Sequence, residues 1–404
     1  MVQSAVFTAS SILVSLLGIV SAAALARSLG PDDFGRYAFG VTFLVFAAIF
    51  FDFGLFLPAA RLAASTAGHE QQRVLGASLL AFLPIGLAFS IAVFGLSYAV
   101  DAGFSTQSGH ALRVMAPLAF VYPFLHVALQ LSQGVDRLHI SSITTVIGQG
   151  AFVVLVLAAV GVLASVPISL ALTLRAVTFL LAGAAFVIWI RPMFRDARKY
   201  IRLLLRDARA YGFSVYMGRI LSSGTYSMDT LMLAAFADAR AVGFYVLAGT
   251  IAYASGLPVL GMTTALFARM TKENRIDRRW IVAAWGVGIA TALLAWGLAH
   301  PFVEIVFSPS YLPVAALVLP LALAQMVRGV TAVYNQYLGA HARGRELRNT
   351  AIVLTASNVI LNFALIPPFG AMGAAWASFL ALVLNLVAHV VYYRRSIAAR
   401  PVLA

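Results

Sequence analysis

The stretch "YGFSVYMGRILSSGTYSMDTLMLAAFAD", residues 211–238, is long enough to cross a bilayer and carries Arg219 and Asp229 inside an apolar run. Spanning about 30 Å of hydrocarbon at about 1.5 Å per residue takes roughly 20 residues, and in lipid such a segment satisfies its own backbone hydrogen bonds only as a helix. On that helix Tyr216, Arg219, Ser222, Ser223, Tyr226, Asp229 and Thr230 share one stripe. A charge at the helix centre costs at least ~2.5–3.5 kcal/mol in lipid, so the stripe faces other helices or water.

The rest of the chain has the same character. Of 404 residues 62% are hydrophobic and 10% charged, where a soluble domain has roughly 45–50% and about 25%. There is no cysteine, which excludes disulfides and thiolate metal sites. Twelve apolar windows recur, near 4–26, 37–60, 75–100, 112–134, 140–164, 167–190, 212–237, 241–268, 280–306, 312–339, 350–367 and 371–393. The first has no basic residues ahead of it and is too long for a signal-peptide core, so it reads as a retained helix. The fold class is an all-α polytopic membrane protein.

The net charge of +14 suggests nucleic acid until its distribution is read. Loops after even-numbered helices and the C-terminal tail hold 21 of the 28 basic residues, and loops after odd-numbered helices hold four: Arg27, Arg36, Arg113 and Arg240. This is the asymmetry of a membrane protein with both termini cytoplasmic, and it leaves no basic patch in search of nucleic acid. Arg175, Arg219 and Arg328 remain inside the spans, unexplained by topology.

Two halves are discernible. "LARSLGPDDFGRYAF" (25–39) and "LAAFADARAVGFYVL" (233–247) match at Leu25/Leu233, Gly35/Gly243 and Tyr37/Tyr245 with a constant offset of 208, the mark of a parallel six-plus-six repeat. Between them "RPMFRDARKYIRLLLRDARAY" (191–211) aligns Phe194, Ala197, Ile201, Leu204 and Ala208 opposite a face of arginines, the pattern of a basic amphipathic helix on an anionic leaflet. The expected organisation is a six-helix bundle over 1–190, a linker over 191–211 and a second six-helix bundle with a short tail over 212–404.

Polar arcs recur on other helices: Tyr122, His126, Gln130 and Gln133 on the fourth, and Gln325, Arg328, Thr331, Asn335 and Gln336 on the tenth. Facing one another, they would line a hydrophilic, net-cationic chamber. Arginine suits a diphosphate through its bidentate donors, and Tyr, Asn and Gln suit sugar hydroxyls. The candidate substrate residues are therefore Arg219, Arg328, Arg175, Tyr226, Gln325, Asn335 and Gln130. Asp52 and Asp229 are read either as coupling-ion sites or as structural partners, and Asn358 and Asn362 as interhelical hydrogen-bonding residues. No nucleophile–base pair, phosphate-binding loop or metal-ligand cluster is legible, so no cofactor and no enzyme activity is expected.

The loop "LARSLGPDDFGRYAFG" with "DFGL" (52–55), "MDTLMLAAF" (228–236) and "NVILNFALIPPFGAMGAAWAS" (358–378) resembles the polysaccharide-transporter branch of the multidrug/oligosaccharidyl-lipid/polysaccharide (MOP) exporter superfamily, and within it O-antigen and exopolysaccharide repeat-unit flippases. The resemblance implies two six-helix bundles around a central cavity and alternating access. Its implied cargo is an undecaprenyl-diphosphate-linked oligosaccharide, moved across a bacterial cytoplasmic membrane by membrane potential or an H+ or Na+ gradient. Membrane lipids, and polysaccharide polymerases or glycosyltransferases, are the implied neighbours. Lipid II flippases of the superfamily usually have fourteen helices. A drug or cation exporter would gather acids rather than arginines. A membrane glycosyltransferase would rest on Asp32 and Asp33, which read equally as a turn and helix cap.

Overall fold

The structure, a computed structural model, describes residues 2–104, 106–163, 165–271 and 273–398. Among them every regular element is helical, and the chain divides into two compact units, Met1–Ser227 and Met228–Ala404.

The first unit contains α1 (Val2–Ile49), α2 (Phe56–Ala64), α3 (Gly68–Gly103), α4 (Gly109–Met115), α5 (Val121–Gly134), α6 (Leu138–Val162), α7 (Ile168–Ile190) and α8 (Ala197–Asp207); α9 (Phe213–Phe236) carries the boundary between the units. The second contains α10 (Ala239–Met270), α11 (Arg278–Val306), α12 (Pro313–Ala340) and α13 (Gly344–Ala398).

Two of these helices are double. α1 breaks at Gly30, where φ is 72°, a left-handed value that glycine adopts at no steric cost, and Pro31 starts the next arm. α13 breaks at Gly370 (φ 53°), just after Pro367 and Pro368. A Cβ on Gly373 would sit 1.9 Å from the Leu365 carbonyl oxygen. Eight residues along an unbroken helix would separate them by about 12 Å, so the chain has turned back on itself there. With each broken helix counted as two crossings, α4 and α5 as one bent by 50°, and α9 included, the described residues make twelve crossings.

The α4–α5 bend has a local cause. A 3₁₀ turn over Ala116–Leu118 holds Pro117, and the freed N–H of Phe120 is satisfied by Ser90 Oγ at 3.2 Å. Irregular backbone at membrane depth is tolerated only with such a partner.

In the first unit α1 lies on α6 and α7, and α2 lies on α5 and α3. Glycines let backbones meet: a Cβ on Gly134 would sit 2.3 Å from the Ala60 carbonyl oxygen, and one on Gly76 2.2 Å from that of Met193. The latter contact, with Met193 N–H donating to Gln72 O at 2.9 Å, pins the segment after α7 to the start of α3.

That segment differs from the sequence expectation. Residues 191–196 are not helical, with Arg191 and Asp196 both left-handed (φ 49° and 59°), so Phe194 is out of register with α8 and is 53% exposed. The rest of the expected face holds: Leu204 and Ala208 are buried in the first unit's core with Ala197 and Ile201 packed against it, Tyr200 joins them, and Arg198, Arg202 and Arg206 are exposed. In the second unit α12 is packed by α10, α11 and α13, around buried Val330, Val333 and Tyr337.

Candidate functional site

Arg175, on α7, reaches Tyr37 Oη on α1 with its Nη1 at 3.4 Å. Its guanidinium lies over the rings of Phe152 on α6 and Phe179, at 5.3 and 5.2 Å. Tyr122 on α5 stands edge-on to Phe179 at 5.8 Å and is 2% exposed. Arg175 Nε and Tyr122 Oη are buried without a hydrogen-bond partner. Among the described residues no carboxylate comes within ion-pair distance of Arg175. Aromatic faces stabilise a desolvated cation by about 2 kcal/mol without cancelling its charge. The site therefore keeps a net positive charge and spare donors.

Gln130, from the α5 arc, donates to Asp52 Oδ2 at 2.7 Å, with both side chains buried. Asp52 sits in the break between α1 and α2, and Tyr216 at the start of α9 donates to Phe50 O in the same break at 2.7 Å.

Asp229, on α9, is 7% exposed and accepts from four side chains of the second unit. Asn358 and Asn362, one turn apart on the first arm of α13, donate to Oδ1 at 2.8 and 2.6 Å. Tyr245 on α10 donates to Oδ2 at 2.7 Å, and Ser378 on the second arm of α13 donates to the same oxygen. Among the described residues no Lys or Arg pairs with this acid. Asn358 and Asn362 are the hydrogen-bonding residues the sequence suggested; Tyr245 and Ser378 were not singled out for this place, although Tyr245 was already visible as a repeat position.

Of the α12 stripe, Arg328 is half-buried. Gln325 lies against α10, its Cβ 3.2 Å from where a Cβ on Gly256 would be. Asn335 Nδ2 is 3.4 Å from His389 Nε2, in a polar network that includes Thr350 and Asn385. The side chains of Arg219 and Tyr226 lie outside the described residues. The predicted residues thus fall into separate places: Arg175, and the Asp52–Gln130 pair, in the first unit; Asp229 and the α12 stripe in the second.

Residues 1–274 match the model of a family described as polysaccharide biosynthesis protein. The chain belongs to that family. Solved structures share its fold. The lipid II flippase MurJ in an inward closed conformation is 14% identical, with 97% of this chain and 89% of that one covered and a TM-score of 0.76. An inward-facing multidrug resistance MATE family transporter of the MOP superfamily is 16% identical, covers 96% and 95%, and has a TM-score of 0.75. A MOP superfamily transporter from Pyrococcus furiosus, described as having a binding pocket of reverse polarity, is 15% identical over 98% and 94%, with a TM-score of 0.64. No curated relative matches the sequence. Family and fold together make the chain a multi-pass, all-helical member of the polysaccharide biosynthesis protein family, with the fold that MurJ and the MATE transporters share.

Proposed function

We propose that this family member is a flippase for a polyprenyl-diphosphate-linked oligosaccharide, an O-antigen or exopolysaccharide repeat unit. It moves this cargo from the inner to the outer leaflet of a bacterial cytoplasmic membrane by alternating access, with both termini cytoplasmic. The observation that carries the reading is the Arg175 site: a cation held by Tyr37 and two aromatic faces, with no acid neutralising it among the described residues. A cationic drug has no reason to enter such a site. A diphosphate does, and the adjacent hydroxyls of Tyr37 and Tyr122 suit a sugar.

Asp229 supplies the complementary element. Its carboxylate, two carboxamides and two hydroxyls form an oxygen-rich cage between α9, α10 and both arms of α13. Turned over about the last side-chain bond, Asn358 and Asn362 present oxygens to the cage too. Such a donor set takes up H+ or Na+, which supports Asp229 as a coupling acid.

A second reading, the lipid II flippase, is favoured by the 0.76 TM-score to MurJ and shares the diphosphate chemistry. Proteoliposomes offered lipid-linked oligosaccharide and lipid II side by side distinguish the two. Translocation of the oligosaccharide with lipid II excluded supports the first reading; the reverse supports the second, and transport of cationic dyes alone would refute both.

A further inference from the structure

The surface of the first unit holds a groove of about 990 Å³ between α3, the α4–α5 bend and α7, lined almost wholly by apolar side chains. Its floor is made by phenylalanines packed on glycines. A Cβ on Gly86 would meet Phe120 and Phe82 at 3.1 Å, and one on Gly183 would meet Phe124 at 2.9 Å. Its rim is exposed: Leu83 is 62%, and Leu87 and Ile91 are each 64%, accessible. In a membrane this rim faces hydrocarbon.

The dimensions select among lipids. The groove follows α3 from Leu79 to Phe94, about 22 Å at 1.5 Å per residue. One leaflet supplies roughly 15 Å, half of a hydrocarbon core of about 30 Å. A phospholipid acyl chain is confined to its own leaflet, whereas a polyprenyl chain is long enough to continue past the midplane.

The charge at one end points the same way. Phe194 lines the groove where the 191–196 segment is pinned to the start of α3. Arg191 and Arg195, both exposed, flank Phe194 in the chain. An anionic headgroup held there leaves its chain in the groove.

We propose that this groove is the docking site for the polyprenyl chain of the diphosphate-linked cargo, with Arg191 and Arg195 receiving the diphosphate at its mouth. The proposal rests on the flippase reading, and it assigns the lipid anchor to a place in the first unit separate from Arg175. Cargo would then be recruited by its anchor before its sugar is engaged.

The test uses the full chain in nanodiscs of phosphatidylethanolamine and phosphatidylglycerol, with a polyprenyl diphosphate bearing a diazirine at mid-chain, and peptide mapping of the label. Label on the α3 peptide containing Leu87 and Ile91 is expected, with most of it lost in Leu87→Trp and Ile91→Trp, which fill the groove from its exposed rim without entering the core. Arg191→Ala and Arg195→Ala should each lower labelling by the diphosphate about fivefold and leave labelling by the neutral polyprenol unchanged. Label confined to other helices would overturn the proposal, as would equal labelling by a diazirine phosphatidylglycerol, which would make the groove a site for bulk lipid. Translocation of lipid-linked oligosaccharide is measured on the same protein in proteoliposomes. Groove labelling without translocation upholds the groove and defeats the flippase reading; translocation with label elsewhere, unaffected by Leu87→Trp, does the opposite.

Discussion

Tyr37 and Tyr245 stand at matching places, 208 residues apart in sequence, and hold opposite charges: the hydroxyl of Tyr37 meets the Arg175 guanidinium in the first unit, and that of Tyr245 donates to the Asp229 carboxylate in the second. Both tyrosines are buried, at 5% and 9% exposure. A phenol serves either charge because its oxygen accepts and its proton donates. One residue type thus serves a buried cation in the first unit and a buried anion in the second.

Removing the acid tests the second unit. Asp229→Ala leaves the donors of Asn358, Asn362, Tyr245 and Ser378 facing one another without an acceptor, and a buried donor left unsatisfied costs about 1–3 kcal/mol. The purified variant should melt below the wild type, with Asp229→Asn closer to it. If the cage takes up a coupling ion, wild-type melting temperature should rise with sodium or with acidification, and Asp229→Asn should lose that rise. A wild type whose melting ignores both ions would assign the cage to structure alone.

Removing the cations tests cargo recognition. Arg175→Ala should abolish or strongly impair repeat-unit export in a flippase-null strain while immunoblots show normal membrane insertion. Arg175→Lys should recover little, because an ammonium lacks the planar face that lies over Phe152 and Phe179. Arg219→Ala and Arg328→Ala should likewise impair export, with Arg219→Lys keeping more activity than Arg328→Lys if only the latter needs a bidentate fork. Well-expressed arginine variants that restore full surface polysaccharide would end the cationic-site mechanism.

The driving force can be tested separately from the role of Asp229. A diphosphate carrying roughly two negative charges gains ~2.3 kcal/mol per charge for each 100 mV of inside-negative potential, which at about 1.4 kcal/mol per tenfold is a bias of more than a thousandfold. Proteoliposome transport should therefore respond to potential with pH and sodium gradients at zero. Indifference to potential combined with dependence on an ion gradient would move the whole driving force to the Asp229 cage or to Asp52.

The charge bias of the loops gives a topological prediction. Reporter fusions after Arg206 and Arg275 should both be cytoplasmic, and fusions after Ala102 and Pro309 external. An external signal at Arg206 would invert the assignment of every residue above.

The twelve crossings were legible because lipid leaves the chain few options: an apolar run of sufficient length must be a helix, and the breaks at Gly30 and Gly370 fall beside prolines. Asp229 and the Asn358/Asn362 pair were legible as polar residues that cannot face lipid. Their union was not, since Asp229 and Asn358 are 129 residues apart and periodicity within one helix carries no information about its neighbours. The Arg175 site was hidden for the same reason. Its partners lie on α1, α5 and α6, and its own helix shows no polar stripe. Phe194 misled because the helical period was continued through a stretch whose left-handed residues break it.

The fold-back at Gly370 bears on how the protein is made. A biosynthetic insertion machine receiving α13 meets a 55-residue helical segment, about 82 Å if straight and far beyond the thickness it must enter. Only the Pro367–Pro368–Gly370 punctuation tells it to release two helices as a hairpin rather than one that overshoots. Asn358 and Asn362 lie on one arm of that hairpin and Ser378 on the other, so the cage around Asp229 is complete only after the nascent chain has made this turn.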